Sequence, residues 1–216
     1  MTEPVAGHSR TQSVLVVIPA LNEEDSIGGV VKEVQAAVPY AHVLVVDDGS
    51  DDGTGEVASA AGADVLVLPF NLGVGGALRA GFRYAVRFGY EVAVQVDGDG
   101  QHDPAEIPLL LDELEHADLV IGARFAGRGD YEVKGARKLA MRLLARSLSR
   151  RTRSSLTDTT SGFRAFDRRV IELFARNYPA EYLGDTVEAL LIAARAGCTV
   201  SQVPVHMRPR VGGSPS

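Results

Sequence analysis

Apolar and polar positions alternate in blocks along the first 120 residues. Ser13–Ile18 (SVLVVI) is a short β-branched apolar run, the pattern of a strand buried on both faces. Ser26–Val38 is amphipathic at helical spacing, with Asp25 or Ser26 as the expected N-cap. The alternation continues with strands at His42–Val46, Asp64–Leu68, Glu91–Val96 and Asp118–Ile121. Helices are predicted between them at Thr54–Ala61 and Gly76–Phe88. Asp103-Pro104-Ala105-Glu106 has the form of a helix start, with Asp as cap and Pro in the first turn. This rhythm predicts an α/β fold with a parallel sheet covered by helices. The second half is less regular: helices over 134–150, 167–176 and 185–196, a polar loop 157–166 running into a short strand, and a strand at 198–203.

In such sheets ligands bind beyond the carboxyl ends of the strands. The polar clusters fall there: PALNEED after the first strand, DDGSDDGT after the second, NLGVGG after the third and DGDGQHD after the fourth. No linker or repeat interrupts the 216 residues, so one domain over 13–211 is expected, with polar tails at 1–12 and 212–216. The absence of tryptophan and the net charge of −6 argue against a nucleic-acid surface. Cys198 is the only cysteine, which excludes an intramolecular disulfide and fits a reducing compartment. No apolar stretch reaches 18 residues, so membrane contact is expected to be peripheral.

Four clusters carry candidate chemistry. Asp97 and Asp99, separated by Gly98, can converge on one hard cation such as Mg2+ or Mn2+, or form a solvated acidic turn. Asp47 and Asp48 can accept from a nucleobase or ribose, or the segment can simply cap a helix. Asn22 and Glu23 either face a nucleotide or sit in an ordinary turn. Asn71 opens a glycine-rich turn that either offers amides to phosphate or allows tight packing. A basic run between 124 and 153 includes Arg124, Arg137 and Arg142. It suits anionic phosphates or an acidic leaflet, and can equally be a solvated helix face. His102 and His206 are read as residues that support a site, without a base role.

Taken together, VVIPALNEE (16–24), VVDDGSDDGT (45–54), NLGVGGALRAGF (71–82), VDGDGQHDP (96–104), VIGARF (120–125), DTTSGFRAF (158–166) and VPVHMRPR (203–210) resemble inverting glycosyltransferase family 2. The nearest likeness is to dolichyl- or polyprenyl-phosphate sugar (mannose) synthases. The resemblance implies a glycosyltransferase-A fold, a mostly parallel Rossmann-like sheet flanked by helices. It implies a nucleotide pocket at Pro19, Leu21, Asn22, Glu23, Asp47, Asp48, Asn71 and Gly98, and a divalent cation held by Asp97, Asp99 and Gln101. Arg124, Arg137, Arg142, Arg208 and Arg210 would meet donor diphosphate or acceptor phosphate, and Asp158, Ser161 and Arg164 would shape the acceptor side. Many such synthases carry Gly-Lys-Gly where this chain has Gly73-Val74-Gly75, one cation fewer.

The implied reaction moves a sugar from a GDP- or UDP-linked donor to a polyprenyl or dolichyl phosphate, at the cytoplasmic face of a membrane, with peripheral contact or through a membrane partner. A second reading has a saccharide hydroxyl as acceptor, with Asp158, Asp185 or Glu188 as the base it would need. A non-catalytic nucleotide-sugar-binding protein is a third. A sugar nucleotidyltransferase would want a glycine-rich basic segment that residues 13–24 do not provide.

Overall fold

The structure is a computed structural model that describes residues 14–124, 161–179 and 185–209. The expected helix over 134–150 lies outside the described residues. Among the described residues seven strands form one sheet: β1 (Val14–Ala20), β2 (His42–Asp47), β3 (Asp64–Val67), β4 (Val92–Gln95), β5 (Leu119–Arg124), β6 (Arg164–Asp167) and β7 (Val200–Val205). Their order across the sheet is β3-β2-β1-β4-β6-β5-β7. All neighbours are parallel except β6, which runs antiparallel between β4 and β5. Helices α1 (Glu24–Ala37), α2 (Thr54–Ala60), α3 (Gly73–Phe88), α4 (Ile107–Glu113), α5 (Arg168–Asn177) and α6 (Asp185–Arg195) connect and cover them.

Strand β1 shows why the fold closes as three layers. All seven of its residues are buried. Leu15 and Val17 point into a core made with α3, α5 and α6, whereas Val14, Val16, Ile18 and Ala20 point into a second core under α1 and α4. Burying both faces accounts for the unbroken apolar run. In the first core Phe82 sits edge-on to Phe166 at 5.0 Å and contacts Phe174 and Tyr178. Helix α3 can come this close because Gly81 faces Val17: a Cβ there would stand 2.5 Å from Val17 Cγ1. Pro19 lacks an N–H, yet it is tolerated in this central strand because the ladder with β4 ends at Val17.

Two expectations about helix starts are corrected. The N-cap of α1 is Glu23, with no side-chain cap bond, and Ser26 is already inside the helix. Helix α3 starts at Gly73, not Gly76.

At the amino edge of the sheet, Asp167 caps α5 by accepting from Val170 N at 2.8 Å. It also meets Asp118, whose Oδ2 accepts from Thr199 N and Thr199 Oγ1 at 2.6 and 2.8 Å. Burial, with the neighbouring Asp118 charge, pushes the Asp167 carboxyl up to about 6. The folded chain therefore binds this proton more tightly than the unfolded chain does. That part of the stability is present at acidic pH and is lost as pH rises towards about 6. Asp167→Asn keeps the cap and offers Asp118 an amide donor. Its melting temperature should exceed the parent's at pH 8 by about 2–4 °C, on the order of 1 kcal/mol after allowance for solvent screening. The gain should shrink at pH 4.5. Thermal melts at the two pH values test this, and equal gains at both would exclude the shared-proton pair.

Candidate active site

The carboxyl ends of β1, β2, β4, β5 and β7 and the amino end of β6 share one edge, and the sequence clusters meet there. The loops after β1 and β2 are stitched together. Asn22 N donates to Ser50 Oγ at 3.0 Å, Asp51 N to Asn22 Oδ1 at 2.9 Å, and Glu23 N to Thr54 Oγ1 at 2.8 Å. Gly53 N donates to Glu24 Oε2 at 2.8 Å, and Glu24 N to Asp52 Oδ2 at 3.3 Å. Asn22 takes a left-handed backbone (φ 54°), which asparagine tolerates better than most residues. Burial alone would raise the Asp52 carboxyl, but bonds from Thr54 Oγ1, Thr54 N and Glu24 N hold it below the usual range. These hydrogen bonds join the two loops into a clamp, with Leu21 and Glu23 half-buried between them.

Asp47 and Asp48 are only 5% and 3% exposed. Asp47 Oδ1 accepts from Ser50 N at 2.9 Å. Asp48 Oδ1 accepts from Leu72 N at 2.8 Å, and Asn71 Oδ1 from Gly73 N at 2.8 Å. Burial raises the Asp48 carboxyl, the Leu72 and Gly73 amides draw it back, and Asp47 raises it further. Both Asn71 and Asp48 thus direct a side-chain oxygen at the amino end of α3. The phosphate reading of NLGVGG needs amides at that end, and two of them are taken by protein side chains.

The turn after β4 holds the carboxylate pair. Asp99, 5% exposed, accepts Gln101 N on Oδ1 at 2.9 Å. Gly100 has φ 76°, the left-handed value that lets the chain double back here. Gly98 O accepts from Ser26 Oγ at 2.8 Å, which ties the turn to α1. Asp97 Oδ1 accepts from Gln95 Nε2 at 3.2 Å, and its side chain remains 37% exposed. The imidazole of His102 lies behind it, 4% exposed: Asp97 N donates to Nδ1 at 3.0 Å, and Nε2 stands 3.5 Å from Asp97 Oδ2.

The opposite wall is the segment before β6. Ser161 is buried and its Oγ accepts from Phe163 N at 3.2 Å. Arg164 departs from the expectation of an acceptor contact. It is fully buried, and its guanidinium donates to Ser161 O at 2.8 Å and Thr186 O at 3.3 Å. It therefore fastens the wall to α6, because a buried guanidinium must find acceptors within the protein. Arg208 reaches the site through its backbone, donating to Gln101 O at 2.8 Å. Its exposed side chain forms ion pairs with Glu33 and Asp103. Arg124 ends β5, beside Val205. Asp158, Arg137, Arg142 and Arg210 lie outside the described residues.

Sequence reasoning misses the polar residues that hold the site from behind. Ser26 reads as a cap, Gln95 as strand, and Thr54 as a helix start. The only signals for their roles are a polar side chain inside a buried strand and hydroxyls flanking two acidic loops.

Residues 15–174 match the sequence pattern of glycosyl transferase family 2. The chain belongs to that family. Two of its relatives illustrate the likeness. One is the polyprenol monophosphomannose synthase of Mycolicibacterium smegmatis, 41% identical over 75% of this chain and 64% of its own length, so the chain spans just under two thirds of it. The other is the undecaprenyl-phosphate mannosyltransferase of Micrococcus luteus, 38% identical over 89% of this chain and 82% of that protein. Among solved structures, glucosyl-3-phosphoglycerate synthase from Mycobacterium tuberculosis, in complex with Mn2+, uridine diphosphate and phosphoglyceric acid, superposes with a TM-score of 0.73. It is 26% identical and covers 94% of this chain and 72% of that one. This glycosyltransferase therefore has the glycosyltransferase-A architecture.

Among the described residues of the glycosyltransferase, no three His, Cys, Asp or Glu side chains gather into a metal cluster. A small hard cation does not need one. Mg2+ is usually held by one or two carboxylates, with substrate phosphate oxygens and waters completing its shell. Asp97 and Asp99 at the rim of the clamp fit that requirement.

Proposed function

We propose that this family 2 glycosyltransferase transfers a sugar from a GDP- or UDP-linked donor to a polyprenyl phosphate, with Mg2+ or Mn2+, in peripheral contact with the cytoplasmic face of a membrane. The observation that carries the reading is the Asp97–Asp99 turn, held rigidly on the same sheet edge as the clamp after β1 and β2. The clamp is the proposed seat of the nucleoside, with Pro19, Leu21, Asn22 and Glu23 around it. Asp97, Asp99 and Gln101 would hold the cation, which offsets charge on the departing diphosphate. Arg124, Arg137, Arg142 and Arg210 would face phosphates, and Asp158 and Ser161 the acceptor. The reaction is a single in-line displacement at the anomeric carbon. A lipid phosphate is already ionised at neutral pH, so no side chain has to remove a proton from it. The names of the two mannosyltransferase relatives support the choice of acceptor. No helix among the described residues is long and apolar enough to cross a membrane.

The solved neighbour bound to phosphoglyceric acid favours a second reading, in which the acceptor is a soluble hydroxyl compound. That acceptor would need a base; of the candidates, Asp185 begins α6 and Glu188 is exposed on it. The test incubates purified protein with labelled GDP-mannose, UDP-glucose or UDP-N-acetylglucosamine and Mg2+ or Mn2+, with and without polyprenyl phosphate. Metal-dependent label in the organic phase is the expected result. Nucleotide released with the label left in water would move the acceptor to a soluble hydroxyl. No nucleotide release from any donor would leave the non-catalytic binding protein.

A further inference from the structure

The buried imidazole of His102 has no part in the proposed displacement. A buried imidazole needs a polar partner, and the residue that supplies it here is Asp97. It stacks on Phe163, with centroids 4.9 Å apart and planes 18° apart. Its Nδ1 accepts the main-chain N–H of Asp97 at 3.0 Å, which leaves the ring proton of the neutral form on Nε2, 3.5 Å from Asp97 Oδ2. Its own backbone bridges to Met207, next to the bond from Arg208 N to Gln101 O. The ring thus touches both the main chain and the carboxylate of one residue, and the segments after β4, before β6 and after β7 meet on it.

We propose that His102 is a positioning residue that sets the direction of the Asp97 carboxylate toward the cation. The proposal rests on the reading of Asp97 and Asp99 as cation ligands. Asp97 has two side-chain torsions, and its Oδ1 is already bonded by Gln95. The bond from the Asp97 main-chain N–H to Nδ1 fixes the backbone from which the carboxylate springs, and the Gln95 amide holds Oδ1. A small cation demands nearly ideal ligand directions, so a carboxylate left to swing binds it less well. Groups that orient ligands in this way typically contribute 10–100-fold in metal affinity.

The test measures Mn2+ affinity directly, from the paramagnetic resonance signal of free Mn2+, with saturating GDP or UDP, whichever the parent retains. His102→Phe keeps a ring on Phe163 and loses the acceptor. His102→Asn places Oδ1 where Nδ1 stood and loses the stack. Phe163→Leu removes the stack and leaves the imidazole. His102→Phe should weaken Mn2+ binding about 10–100-fold, while His102→Asn and Phe163→Leu stay within about threefold of the parent even where their melting temperatures fall. The proposal is overturned if His102→Phe binds Mn2+ as the parent does, or if affinity follows melting temperature across the three variants. A parent that binds no Mn2+ with either nucleotide would instead defeat the reading of Asp97 and Asp99, and the proposal with it.

Discussion

Asp99→Asn is expected to lower sugar transfer about 10²–10³-fold while leaving the fold intact, an effect comparable to removing one preorganised group that stabilises developing charge. The substitution suits the site because Asp99 is 5% exposed and its Oδ1 accepts Gln101 N. An amide oxygen accepts that bond equally well, so the bond to Gln101 survives while the charge is lost. The pair Asp97 and Asp99 is the carboxylate set that the described residues offer a cation at this turn, and one remaining carboxylate holds it far less firmly. Initial rates across a range of Mg2+ and Mn2+ concentrations, with a thermal melt alongside, give the readout. A variant with near-parental rates at every metal concentration would remove Asp99 from the cation site. A low rate with a melt lowered by many degrees would make Asp99 a residue of the fold.

The proposed donor half of the site is legible in the sequence because it obeys a rule of parallel sheets. The runs VLVVIPA and HVLVVD are buried on both faces, and the polar segments next in the chain must leave the sheet at its carboxyl edge, where ligands bind. The use of individual side chains is not legible. Gly73-Val74-Gly75 looks like a loop, since glycine weakens a helix. It is the first turn of α3 because Asp48, 24 residues before Leu72, accepts Leu72 N, and Asn71 accepts Gly73 N. The resemblance places Arg164 on the acceptor side. Its burial depends on Ser161 O and Thr186 O, and no spacing rule connects those two carbonyls.

The pattern of residues anticipates β6 as a short strand but not its position. It lies antiparallel between β4 and β5, so Arg164 pairs with Gln95 and Phe163 O accepts from Gly122 N at 2.8 Å. This insertion brings the segment that carries Gly162 against Asp97. Strand order of this kind is set by packing between distant residues, here Phe166 against Phe82 and Phe174. The partners Gln95 and Arg164 lie far apart in the sequence, and nothing local in either strand records the partnership.

The insertion sets Gly162 directly against Asp97, and Gly162→Ala is expected to cost about 10²-fold in turnover with little loss of stability. A Cβ at this position would stand 2.8 and 2.9 Å from the two oxygens of Asp97 and 3.0 Å from Gln95 Nε2. One side has to move. The segment carrying residue 162 is pinned by Phe163 O on Gly122 N, by the fully buried Phe163 ring and by Arg164 Nε on Ser161 O. Asp97 is the softer partner, because a side-chain rotation of some tens of degrees costs on the order of 1 kcal/mol, and less than that separates the oxygens from an acceptable contact. The carboxylate therefore turns away from the position that Gln95 and His102 define. A displacement of roughly 1 Å at a reacting centre is enough to give the expected loss. Turnover, Mn2+ affinity and the thermal melt should be measured together. Falling turnover and affinity with a nearly unchanged melt is the expected pattern. Full activity in Gly162→Ala would mean that the carboxylate direction seen here is not the one the reaction uses.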